Sequence, residues 1–181
     1  LKDGSSRDIQ AGQTVGAALL ALGLMRKPDI LAAKVNGRTV DLSSVLTEDA
    51  EVTPLQFDSL EGRDVYRHSS THIMAQAVKE VFPSAQLTIG PALEDGFFYD
   101  FAFERPFTPE DLEKIEVRAK DIIKRALPVK RAELSKQEAV RFFQERGESY
   151  KVELIQGLED GQTISVYSQG EFTDLCRGPH L

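Results

Sequence analysis

Apolar and polar positions along this chain change period several times, and each change marks an element. Residues 14–23 (TVGAALLALG) read as a short helix, with Thr14 as its N-cap and Gly23 as its stop. Before it, Asp-Gly-Ser at residues 3–5 reads as a hairpin turn between short extended runs. After it, ILAAKVNGRTVDL gives two extended runs about Asn36-Gly37, a strong hairpin signal. EVTPLQF is a last strand, in which Pro54 implies an edge or an irregularity. The first sixty residues therefore predict two strands, a helix, two strands and one further strand, and they hold no histidine or cysteine.

The acidic, turn-prone stretch 58–64 reads as a linker, and residues 66–82 follow it as a helix. On a wheel of roughly 100° per residue, Tyr66, Ile73, Met74, Ala77, Val78 and Val81 fall opposite His68 and His72. The histidines share their face with Ala75, Gln76 and Lys79, so the wheel turns that face to a cleft or to solvent. LTIGPALEDGFFYDFAF is broken at Gly90-Pro91 and Asp95-Gly96 and ends in an aromatic-rich strand. Residues 108–127 are the clearest helix, with Thr108 to cap, Pro109 at the first position and Glu110 and Asp111 at the positive end of the dipole. PVKRAEL reads as a strand. Ser135 and Glu138 form a capping box for a helix that Gly147 ends. YKVELI, the turn Asp160-Gly161, TISVYS and EFTDLC read as successive strands. The fold class is α+β. It divides into a domain over residues 1–60 and one over 61–181, with helices 66–82 and 108–127 packed on a mostly antiparallel sheet.

Composition narrows the function. An apolar content of 41% supports real cores. A single cysteine excludes an internal disulfide and fits a reducing compartment. A net charge of −7 argues against an autonomous nucleic-acid-coating module, because phosphate contacts dominate such affinity. No run of about 18 apolar residues is present to span a membrane. No signal peptide is visible, and a chain that starts at Leu1 and stops one residue after His180 reads as a piece of something longer.

The chemistry is concentrated in two motifs of equal spacing. His68 and His72 stand four apart in the helix 66–82; Cys176 and His180 stand four apart in CRGPH. Taken alone, a histidine pair at helical spacing reads equally as a polar surface face. The second pair changes that balance, because the chain's whole stock of histidine and cysteine lies in these two places. Four such groups can bind zinc tetrahedrally, or they can line a hydrolytic pocket in which a neutral histidine accepts a proton from water. Gly178-Pro179 keeps the second pair out of a helix, so only the fold can bring the pairs together.

RHSSTHIMAQAVKEVFP, IGPALEDGFFYDF, RGESYKVELI and EFTDLCRGPHL together resemble the amino-terminal editing region of bacterial-type threonyl-tRNA synthetase. The paired motifs mark a wider family of tRNA-editing hydrolases shared with alanyl-tRNA synthetase. The first sixty residues resemble the β-grasp TGS domain that precedes the editing domain. The resemblance implies hydrolysis of serine mischarged onto threonine tRNA. It implies that His68 and His72 flank the ester and water and that Cys176 and His180 complete the pocket wall. Tyr99 and Asp174 would contact the amino acid or terminal adenosine, and Lys151 would position or activate water. Arg177 would contact phosphate or cap its turn. It implies no cofactor here, with ATP, magnesium and zinc confined to an aminoacylating core beyond Leu181, and an editing domain cut short there. Were a metal bound, it would be zinc on His68, His72, Cys176 and His180. The expected partners are threonine tRNA and the rest of the synthetase, in the cytoplasm, with a monomeric fragment and a homodimeric whole. The rival readings are a zinc-binding alanyl-type editing hydrolase and a non-catalytic TGS interaction module.

Overall fold

Short-range signals decide most helix boundaries. The computed structural model describes residues 6–25, 30–159 and 161–181. Thr14 accepts a hydrogen bond from the Ala17 N–H and starts α1 (Val15–Ala21), and Gly23 follows its end at φ +69°. Asn36 and Gly37 both take positive φ, 49° and 82°, which turns β1 (Ile30–Val35) back onto β2 (Arg38–Val40). β3 (Val52–Gln56) pairs antiparallel on the other side of β1, giving the order β2-β1-β3. The expected turn at residues 3–5 lies outside the described residues, and Ser6–Gln10 forms no strand. Within this unit, Val15, Ala18 and Leu19 of α1 pack on Ile30, Ala33, Leu46 and Val52.

The stretch expected as a linker is instead the start of a helix. Ser59 accepts from the Gly62 N–H and caps α2 (Leu60–Val81). A Cβ at Gly62 would stand 1.9 Å from the Gln56 carbonyl oxygen, so the first turn of α2 rides directly on the end of β3. Val65 then buries against Ala32 and Leu55. The described chain forms two compact units, one running up to Ser69 and including Gly178–Leu181, the other Ser70–Arg177; α2 is continuous through that division.

In the second unit, residues 86–102 make a long irregular hairpin. β4 (Gln86–Leu87) pairs with β7 (Phe101–Ala102), and β5 (Ala92–Leu93) pairs with β6 (Gly96–Phe97). α3 (Pro109–Arg125) begins with the expected Thr108 cap, here a full capping box with Asp111. α2 and α3 pack on each other through Ala77, Val78, Ile115 and Ile122, roofed by Phe101, Phe103 and Phe107. Their shared apolar core is separate from that of the three-stranded sheet on which the sequence reading packs them. That sheet runs β10-β9-β8, all antiparallel: β8 (Val129–Leu134), β9 (Ile164–Gln169) and β10 (Phe172–Leu175). It is covered by α4 (Lys136–Glu145), which has the expected Ser135/Glu138 capping box, and α5 (Ser149–Gln156), whose Ile155 packs with Phe143, Ile164 and Val166.

α5 corrects the strand expected for YKVELI. The alternation there is local, but Lys151 and Ile155, one helical turn apart, are the residues that are buried. The wheel also needs correction. Ala75 and Gln76, assigned to the open face of α2, are fully buried, whereas Tyr66 is exposed. α2 is enclosed on several sides, so a single apolar stripe does not describe it. No helix among the described residues is long and apolar enough to cross a membrane.

Asp111 gives this unit a pH-dependent contribution. The Arg105 guanidinium, and then the Thr108 N–H, hold its carboxyl well below the usual carboxylate range. A carboxyl depressed in the folded state stabilises fully above its unfolded value of about 4, and that contribution fades as pH falls toward the folded value. The stability gap between the native chain and Asp111→Asn should therefore be constant near neutrality and shrink below about pH 4. Urea midpoints of both proteins across pH test this; a gap independent of pH removes the charge from the account.

Candidate active site

His68 and His72 lie one turn apart on α2, as the spacing required. Within the first unit, the His68 and His180 rings stack with centroids 4.5 Å apart and planes at 23°. His180 is buried, and its backbone N–H donates to Asp41 Oδ1 at 2.6 Å. Its Nδ1 lies 3.3 Å from Ser69 Oγ. The Ser69 hydroxyl proton is committed to the Val65 carbonyl at 2.8 Å. Ser69 thus ties His180 to the backbone of α2. Gly178, at φ +69°, makes the turn that returns the chain toward His180.

The second unit supplies a buried polar network. Lys151, on α5, is 3% exposed, and Asp174, on β10, is 1% exposed. The ammonium of Lys151 donates to the Thr88 carbonyl at 2.8 Å and to the Tyr99 hydroxyl at 3.2 Å, and it pairs with Asp174 Oδ1 at 2.8 Å. Those three contacts use all three of its N–H donors. Tyr99 donates in turn to Asp174 Oδ2 at 2.8 Å, and the Leu175 N–H donates to Oδ1 at 2.8 Å. Burial, and then the Asp174 charge, raise the Tyr99 hydroxyl well above its ordinary value, which keeps it protonated and donating. His72 Nε2 lies 3.9 Å from Asp174 Oδ2, and its ring meets Phe172 edge-on at 6.3 Å. Cys176 is fixed by its backbone: its N–H donates to the Ser165 carbonyl at 3.1 Å, and its carbonyl accepts from Ser165 Oγ at 2.5 Å.

The arrangement modifies several expectations. Tyr99, Lys151 and Asp174 meet one another, and Lys151 and Asp174 are interior groups. A lysine whose donors are all engaged acts as a fixed charge that orients its neighbours. Arg177 is exposed. Sequence reasoning missed Asp41 and Ser69, which hold His180, and the Thr88 carbonyl. Ser69 stood in plain view inside HSSTH; Asp41 carries no local signal.

The chain's histidines and cysteine offer three imidazoles and one thiol, a donor set that suits zinc in kind.

No protein-family model matches the chain. Its curated relatives are aminoacyl-tRNA ligases, enzymes of protein biosynthesis. More particularly, they are threonine-tRNA ligases, and the match runs along the whole chain. It is 52% identical over 181 residues to that of Symbiobacterium thermophilum, 48% over 181 residues to that of Methylococcus capsulatus and 51% over 183 residues to that of Desulforamulus reducens. Each match covers 100% of this chain and 28% of the relative, so the chain spans just over a quarter of their length.

Proposed function

We propose that this chain is the editing part of a threonine-tRNA ligase, a hydrolase that frees threonine tRNA of serine esterified to it in error. The observation that carries this reading is the buried Lys151–Asp174–Tyr99 network beside His72. A wholly buried ion pair is a poor way to stabilise a fold, because desolvation offsets most of the Coulomb gain. Such a pair beside histidines suits a site that must present a fixed carboxylate. In this reading residues 1–60 are the TGS-like β-grasp domain and residues 61–181 the editing domain. Threonine tRNA and the remainder of the synthetase are the partners.

The chemistry follows from the groups present. Asp174 Oδ2 takes one short bond, from Tyr99, and faces His72; it receives the ammonium of the aminoacyl group. An unprotonated imidazole of His72 or His68 takes a proton from water, whose oxygen attacks the ester carbonyl. The ester C–O bond breaks, and the ribose hydroxyl leaves with a proton. His180 and Cys176 line the pocket, and Arg177 meets the terminal phosphate. A zinc ion held by His68, His72, Cys176 and His180 would polarise the water; no step above depends on it.

Serine is threonine less one methyl, and attraction in a pocket separates them by only about 1–3 kcal/mol. A wall that refuses the extra methyl discriminates further. The chain should therefore hydrolyse seryl-tRNA for threonine and leave the threonyl ester largely intact under single-turnover conditions at low salt. Equal rates on the two esters sink the specificity. Metal analysis of protein purified without added zinc should find well under one equivalent per chain. One equivalent that disappears in His72→Ala would transfer the reading to the zinc-dependent hydrolase.

A further inference from the structure

We infer that Gly90 is a positioning residue: the space in which its side chain would stand is filled by the Tyr99 ring, so glycine is what lets the Tyr99 hydroxyl reach Asp174 and Lys151. A Cβ built at Gly90 would lie 2.2 Å from Cδ2 of Tyr99 and 2.8 Å from its Cε2 and Cγ. Backbone freedom does not explain the glycine, because Gly90 is not among the glycines with positive φ. The contact involves Cγ, the root of the ring, so a small swing of the ring tip cannot relieve it. The ring is restrained elsewhere too. It stacks on Phe101 at 4.8 Å, and its hydroxyl is tied to Asp174 at 2.8 Å and Lys151 at 3.2 Å. The backbone on both sides is pinned as well. The Asp100 N–H donates to the Ile89 carbonyl at 2.9 Å, and Thr88, whose carbonyl holds Lys151, bonds through its own hydroxyl to the Asp100 carbonyl at 2.7 Å. A methyl at Gly90 must therefore push Tyr99 away from Asp174.

The catalytic consequence rests on the editing reading; the seating of Tyr99 does not. The experiment uses the 181-residue chain and the variants Gly90→Ala, Tyr99→Ala and their combination. Three readouts are taken: the tyrosine ring resonances in NMR, assigned with Tyr99→Phe; urea midpoints; and single-turnover hydrolysis of seryl-tRNA. Gly90→Ala should move the Tyr99 resonances and slow hydrolysis about 10²-fold, the scale of a misplacement near 1 Å. Added to Tyr99→Ala, where the ring is gone, it should cost nothing more in midpoint or rate. An unmoved Tyr99 signal, or equal losses in both backgrounds, overturns the inference. Should Gly90→Ala fail to fold, the double variant decides: folding supports the seat and failure overturns it. A native chain that leaves the seryl ester intact removes the editing reading, while resonances and midpoints still decide Gly90.

Discussion

His72→Ala is expected to slow hydrolysis of seryl-tRNA about 10²–10⁴-fold, the usual scale of lost general acid-base help. The effect should fall on the chemical step. His72 stands 3.9 Å from Asp174 Oδ2 and is 14% exposed in its side chain, so it meets both the fixed carboxylate and incoming water. Its removal leaves the Lys151–Asp174–Tyr99 contacts in place, so the variant should stay folded. Single-turnover rates at saturating protein, with circular dichroism as a fold control, make the comparison. An unchanged rate passes the role of base to His68, or dismisses the mechanism if His68→Ala is equally silent.

The second large effect concerns stability. Lys151→Ala should destabilise the unit containing residues 70–177 by about 3 kcal/mol, the low end for breaking a buried ion pair. Asp174 would be left at 1% exposure with the Tyr99 hydroxyl, the Leu175 N–H and, at 3.9 Å, His72 as partners, and the Thr88 carbonyl would lose its donor. Replacing both members with apolar residues of similar volume, Lys151→Met with Asp174→Leu, should recover much of that loss while abolishing hydrolysis. This separation is the useful outcome: stability returns and activity does not. A loss below about 1 kcal/mol for Lys151→Ala would class the pair with exposed surface bridges and weaken the case that the network is built for function.

Helix ends were legible because caps are short-range. Thr14, Thr108 and Ser135 bond to N–H groups within three residues, and Asn36-Gly37 meets the positive φ of its turn without outside help. α5 was not legible. Glu148 makes no side-chain cap bond there; it is used by Lys79 at 2.6 Å and by the Leu87 N–H at 3.3 Å. A helix that starts on tertiary contacts has no sequence start signal. The wheel failed on α2 for a related reason: Ala75 and Gln76 are enclosed by parts of the chain that periodicity cannot place.

The candidate chemistry divides the same way. By itself the sequence determined that histidine and cysteine sit in two motifs of spacing four, and that the first pair shares one face of a helix, because helical geometry is local. It also carries the resemblance that points to Tyr99, Lys151 and Asp174. Only the tertiary structure decided that these three share a buried network, that Lys151 has no donor left for water, and that Ser69 meets His180. Those facts depend on groups far apart in the chain, up to 111 residues, meeting at hydrogen-bond distance. Spacing along a chain states no such distance, because burial and donor count are properties of what the rest of the fold puts there.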